Sequence, residues 1–164
     1  NLFFLIFLML FSCSQTPVLK EKSFGELPLE KYTEASLIDQ LNLYFPEEKI
    51  KISQAAQDGP NYTKVEFGNI GYFKIENDRL KEFYIEDSSF FDQYGAHVGL
   101  SAATLFKIRP EIEIQRDYHH INARYPDSNI YYQLSGGPEN KPQSSYSQEE
   151  IDRMSLSLII WKPE

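Results

Sequence analysis

Between Ile50 and Ile85, apolar residues return at every second position: Ile50 and Ile52, Val65 and Phe67, Phe73 and Ile75, Phe83 and Ile85, with Lys, Glu or Tyr between them. A period of two places the apolar set on one face of a strand and the polar set on the other. The runs are separated by Asp58-Gly59-Pro60, Gly68-Asn69 and Asn77-Asp78, all with turn chemistry. The pattern therefore predicts a meander of antiparallel strands, in which the runs 73–75 and 83–85 form a hairpin.

Around this meander the period changes. Thr33 offers a capping oxygen, and Leu37, Ile38, Leu41 and Tyr44 follow at i, i+1, i+4 and i+7 before Pro46, which predicts a short amphipathic helix. Gly95-Ala96-His97-Val98-Gly99-Leu100-Ser101 leads into Ala102, Leu105, Phe106 and Ile108, a second short helix with Ser101 as its cap and Pro110 beyond its end. Two strand runs follow, over 118–124 and 129–135, then a Gly-Gly-Pro loop and a capping-box pattern at Ser147-Gln148-Glu149-Glu150. A last run, 156–161, is apolar on nearly both sides, which predicts a central strand. The fold class expected is α+β: one domain over 33–164, mostly an antiparallel meander, with two or three short helices.

The chain opens with eleven uncharged, mostly apolar residues, too few to span a bilayer but of the length of a secretory signal core. Leu10-Phe11-Ser12-Cys13 places a leucine three positions before a cysteine with a small residue just ahead of it, and it resembles the lipobox of bacterial lipoproteins. That resemblance implies a signal peptide over 1–12, cleavage before Cys13 and acylation of Cys13, so the lipid bilayer becomes a partner. The polar stretch 13–32, with Pro17 and Pro28 and no periodicity, reads as a flexible tether; about 19 residues of such chain reach about 25 Å on average.

Cys13 is the only cysteine, so once it is acylated no disulfide can form and packing alone must hold the domain. With 15% aromatic residues it has the means. The net charge is −8, and no basic cluster stands out to neutralise phosphates, which argues against nucleic acid and anionic membrane surfaces as partners.

Three C-terminal stretches, "YGAHVGLSAATLF", "NIYYQLSGGPENKP" and "SLSLIIWKP", resemble a family of sigma-E-regulated bacterial envelope lipoproteins of unknown function. The resemblance covers roughly 65–163. It implies a β-rich lipoprotein of the cell envelope, anchored in the outer membrane, and carries over no catalytic residue. Family members often have two cysteines in the region matching 110–124; this chain has none there, so any disulfide of that region is lost.

Chemistry has to be sought residue by residue. Asp117-Tyr118-His119-His120 combines an acid with two histidines, but on a strand only alternate residues share a face, so the run offers at most two ligands to one metal ion. Neither a metal nor another cofactor is expected. Ser101, Ser135, Ser144 and Ser145 lack the Gly-x-Ser-x-Gly elbow of a serine nucleophile, and Gly95, Gly99, Gly136 and Gly137 do not form a nucleotide-binding fingerprint. Glu111 with Glu113 and Glu149 with Glu150 are acid pairs that would need a cleft to act together. No catalytic residue is assigned.

Two binding surfaces remain. One is the turn with Gly95, His97, Gly99 and Ser101, where glycines allow close backbone approach and a histidine and a hydroxyl are at hand. The other is the polar face of the meander, where Tyr72, Tyr84 and Tyr131 offer rigid contact area with polar tips. The expected function is that of a non-enzymatic lipoprotein binding an envelope protein, glycan or lipid; the alternative is a small periplasmic hydrolase acting on cell wall or a surface polymer.

Overall fold

The computed structural model describes residues 18–20, 23–24, 27–28, 32–44, 49–55, 61–117, 120–138 and 146–162. The lipobox, Cys13 and most of the stretch read as tether lie outside them.

The predicted meander is present as β4 (Ile50–Ala55), β5 (Tyr62–Phe67), β6 (Gly71–Glu76) and β7 (Arg79–Ile85), each antiparallel to the next. Asn77 and Asp78 join β6 to β7 with φ of 50° and 58°. Positive φ at both central residues is the left-handed turn that matches strand twist, and Asn and Asp tolerate it better than most side chains. Phe73 faces Phe83 across this hairpin, as the alternation predicts. A second meander follows: β8 (Glu113–Asp117), β9 (His120–Arg124), β10 (Ile130–Ser135) and β11 (Ser155–Trp161). Pairing of β7 with β11 joins the two edge to edge, giving one eight-stranded sheet in the order β4-β5-β6-β7-β11-β10-β9-β8. The last strand in the chain is thus central, as its two-sided apolarity implies.

One face of this sheet carries the core. Val65, Phe67, Phe73, Phe83, Ile85, Tyr132, Ile159 and Trp161 are buried there. Phe67, Phe73 and Phe83 form a ring cluster with centroids 4.1–5.3 Å apart. Helix α1 (Glu34–Tyr44) adds Leu37 and Leu41 to the core, and α2 (Ala102–Ile108) adds Ala102 and Leu105. The α1 start is capped as the sequence predicts: the Ser36 amide donates to the Thr33 hydroxyl, and the Glu34 amide is tied to Asp78 of the β6–β7 turn. Helix α3 (Gln148–Asp152) begins with the anticipated capping box at Ser147 and Glu150.

The structure departs from the sequence reading in three places. The single strand expected over 118–124 is a hairpin: β9 starts at His120, Asp117 of β8 pairs with it, and 118–119 lie outside the described residues. A bulge between Gln133 and Leu134 shifts the register of β11, so Leu156 shares the buried face with Ile159 and Trp161, whereas strict alternation along 156–161 would group it with Leu158 and Ile160. Leu19, within the stretch read as tether, is fully buried and built into the fold. It bridges Asp92 in parallel, its amide donates to the Phe91 carbonyl at 3.2 Å, and its own carbonyl accepts from Gln93 at 2.7 Å. Around it β1 (Leu19–Lys20), β2 (Ser23–Phe24) and β3 (Leu27–Pro28) form a minimal second sheet.

Candidate functional site

All three helices pack on the core side of the sheet, where α1 and α2 bury side chains and Ile151 of α3 is partly buried. Among the described residues, the opposite face holds the side chains that alternate outward from the strands. Register aligns them across the sheet: Glu66, Tyr72, Tyr84, Ile160, Tyr131 and Arg124 follow one another from β5 to β9. Tyr72 and Tyr84 stack with centroids 4.5 Å apart and planes 12° from parallel, a geometry that adds about 0.5–1.5 kcal/mol beyond area burial.

Cations lie over these rings. Lys64 Nζ is 4.3 Å from the Tyr72 centroid, and the Arg124 guanidinium is 4.7 Å and Lys162 Nζ 5.4 Å from that of Tyr131. Carboxylates hold the two lysines there, Lys64 at 2.6 Å from Glu66 and Lys162 at 2.8 Å from Glu82, while Lys74, over the Tyr62 ring, is 2.9 Å from Glu76. Glu82 is the hub, because Tyr84 also donates its hydroxyl to it. Burial pushes the Glu82 carboxyl up, but Lys162, Tyr84 and Lys74 outweigh that and hold it below the usual range. The Tyr72 hydroxyl is pushed up to about 12, by burial first and then by the neighbouring phenol and carboxylates. Across neutral pH Glu82 is therefore ionised and the Tyr72 hydroxyl neutral.

At the β9–β10 end this row opens into a pocket of about 240 Å³ lined by Arg124, Pro126, Asp127, Ser128, Asn129, Tyr131 and Lys162. Arg124 donates to the Pro126 carbonyl at 3.0 Å, and Ser128 receives the Ile130 amide at 3.1 Å. Two buried polar atoms of its lining residues, Arg124 Nε and Asn129 Oδ1, have no hydrogen-bond partner among the described residues. A pocket of this size with two cations, an amide and an aromatic ring suits one small anionic group or one sugar unit.

The four residues of the glycine turn are placed by local structure. Gly95 and Gly99 have φ of +84° and +89°, which only glycine adopts freely, and open space surrounds both. The His97 ring bonds the Val98 carbonyl at 2.9 Å and meets the Phe91 ring edge-on at 5.0 Å. Ser101 caps α2 by receiving the Thr104 amide, and its hydroxyl lies 2.8 Å from that of Thr104. Gly99 also donates to the Leu156 carbonyl at 2.7 Å, fixing the turn to β11. His120 is exposed at the β8–β9 hairpin, and the described residues contain no group of three or more His, Cys, Asp or Glu able to hold a metal ion.

Sequence reasoning missed a buried polar network. Tyr132 donates its hydroxyl to Asp92 Oδ2 at 2.6 Å and receives Arg109 Nη1 at 3.0 Å, and all three residues are at most 2% exposed. Asp92 Oδ1 receives the amides of Tyr94 and Ala96 at 2.9 and 2.8 Å, while the Arg109 guanidinium lies 3.7 Å from the Tyr94 centroid. The network locks the loop after β7, the end of α2 and β10 together. The pocket lining, Arg124 to Lys162, was missed as well, because no motif joins residues so far apart.

These residues define an α+β domain built on an eight-stranded antiparallel sheet, with one face packed and the other laid out as an aromatic and charged surface. Over 89% of its length the chain is similar to the solved structure of the uncharacterized protein yfeY from Escherichia coli, covering 99% of that chain at a TM-score of 0.64 and 16% identity. The likeness is one of fold. No family model matches the chain, and no curated protein matches it.

Proposed function

We propose that this chain is a lipid-anchored lipoprotein of the bacterial cell envelope, of the sigma-E-regulated kind its C-terminal motifs resemble, and that its domain works by binding. The lipobox Leu10-Phe11-Ser12-Cys13 supports the anchor, and no described helix is long and apolar enough to cross a membrane in its place. A single observation carries the binding role: the sheet face away from the helices holds an ordered row, Tyr72, Tyr84, Ile160 and Tyr131, that ends in the pocket with Arg124 and Lys162. Such a surface suits an envelope glycan carrying carboxylate or phosphate groups. Sugar rings pack along the outward edges of the tyrosine row, and an acidic group enters the pocket and takes charge-assisted hydrogen bonds.

The test is a titration of the non-acylated Cys13→Ser protein with carboxylated and phosphorylated envelope oligosaccharides, followed by amide NMR. Shifts centred on Arg124, Asn129, Tyr131 and Lys162 are expected. Each charge-assisted bond is worth about 1.5–3 kcal/mol, so Arg124→Ala and Lys162→Ala should each weaken binding by about tenfold or more. Shifts confined to the glycine turn, or unchanged affinity in both variants, would refute the assignment.

A further inference from the structure

Among the described residues five large apolar side chains are exposed: Val18, Ile52, Phe91, Tyr94 and Ile108. Three of them gather where the chain enters the fold. The parallel bridge between Leu19 and Asp92 sets Val18 alongside Phe91, at the strand spacing of about 4.8 Å. Leu19 and Asp92 both point inward, 0% and 2% exposed, so their neighbours Val18 and Phe91 point outward, at 39% and 45%. Tyr94 lies on the same loop, the His97 ring abuts Phe91, and Lys20 is exposed one residue past Leu19. The result is a small apolar and aromatic ridge with a cation at its rim.

We infer that this ridge of Val18, Phe91 and Tyr94 is a membrane seat, held against the headgroup and acyl boundary by the acylated Cys13; the inference rests on the lipoprotein reading above. Chain length carries it. With Leu19 built into the core, the chain between lipid and fold shortens from about 19 residues to the five from Ser14 to Val18. Six Cα–Cα steps from Cys13 to Leu19 span at most about 22 Å, and acylated Cys13 itself sits at the headgroups. The ridge is therefore kept within about 22 Å of the headgroups, and about 13 Å on average, close enough to meet them repeatedly. A patch this small would not hold a protein on a bilayer alone, but tethering makes its contact intramolecular, at an effective concentration in the millimolar range. Phe and Tyr beside a Lys are the side chains that settle at the headgroup level.

The experiment uses the full acylated chain in phosphatidylethanolamine and phosphatidylcholine vesicles carrying spin-labelled quencher lipids. Phe91→Trp places a reporter on the ridge and Ile52→Trp one on edge strand β4; the native Trp161 is fully buried and contributes the same background to both. Val18→Trp serves as a second ridge reporter should Phe91→Trp disturb the contact with His97. Emission from either ridge reporter should shift to the blue and be quenched at least twofold, with the β4 reporter unaffected. Flotation and acyl labelling of the same sample separate the two ideas. A labelled, floating protein whose ridge reporters respond no more than the β4 reporter overturns the seat and leaves the anchor standing. A protein without the acyl label overturns both, and a blue shift that grows with protein concentration without vesicles assigns the ridge to a second copy instead.

Discussion

Tyr132→Phe removes one oxygen from the centre of the domain and tests how the fold treats its buried charges. In the native protein that hydroxyl stands between Asp92 and Arg109, at 2.6 and 3.0 Å, with no solvent to replace it. Its loss leaves Asp92 Oδ2 and one Arg109 N–H short of a partner. Hydrogen bonds to charged groups contribute about 1.5–3 kcal/mol each, and two in one network are not additive. A loss of about 3 kcal/mol at pH 7 is expected, read as a lower urea midpoint at unchanged m-value. The pH dependence separates this network from mere packing. Burial raises the Asp92 carboxyl above its ordinary value, against the pull of Tyr132, Ala96, Tyr94 and Arg109. The folded state therefore binds more protons than the unfolded state between the ordinary carboxylate pKa, about 3.9, and the raised one, and stability falls as pH rises through that window. Without the hydroxyl the carboxyl rises further and the window extends upward. The deficit of the variant should thus be smallest below about pH 4, where Asp92 is protonated in both states, and grow towards neutrality. A loss under about 0.5 kcal/mol, or one independent of pH, would refute the reasoning.

Gly71→Ala should destabilise more than an ordinary overpacking change, by about 3 kcal/mol or more, because its Cβ would sit 1.8 Å from the Tyr84 carbonyl oxygen across the β6–β7 pair; a thermal melt checks it. A chain ending before Leu156 loses the central strand and should show no cooperative transition, and a melt at the native temperature would overturn the place given to β11. Cys13→Ser should abolish acyl labelling and release the protein from membranes; unchanged labelling would sink the anchor. His97→Ala should leave stability nearly unchanged, since its ring makes only local contacts, whereas Gly99→Val, at a φ of +89°, should lose about 2 kcal/mol in denaturant unfolding.

The parts of the fold legible in the sequence are those set by local chemistry. Asn77-Asp78 reads as a hairpin turn because both residues tolerate left-handed backbone, and Ser147 with Glu150 reads as a capping box because each satisfies the other's amide. What stayed hidden depends on partners remote in sequence. Ile112 and Ile114 alternate with Glu111 and Glu113, a period-two signal for β8 that is masked when the glutamates are read as an acid pair. The bulge opposite Gln133 reverses the parity of Leu156, and nothing within β11 announces it. Asp92, Arg109 and Tyr132 each look like surface residues alone; only the fold brings them across separations of 23 and 40 residues. The tyrosine face was legible in outline, since the outward set of a half-buried strand can be counted off. Its pocket was not, because Arg124, Asn129 and Lys162 meet only when β9, β10 and the end of β11 are side by side.

Under the proposed lipoprotein reading, the burial of Leu19 changes what an acyl anchor at Cys13 would do. A tether of about 19 free residues would let the domain turn in any direction, and neither face would be favoured for contact with lipid. With Leu19 clamped beside Asp92, a lipid on Cys13 would pull on one point only, on the helix side of the sheet, where Phe90 and Ala96 of the same loop enter the core. The tyrosine row is on the reverse side of that sheet. With the ridge seated on the bilayer, the row and its pocket are directed away from the headgroups, towards the aqueous space where an envelope glycan would meet them. Lengthening the chain between Cys13 and Val18 by about 15 Gly and Ser residues removes this constraint without touching either surface. Quenching of the Phe91→Trp reporter should then fall, while glycan affinity measured on the non-acylated protein stays unchanged. If its quenching survives the longer linker undiminished, the ridge holds the membrane by itself and orientation does not depend on the clamp at Leu19.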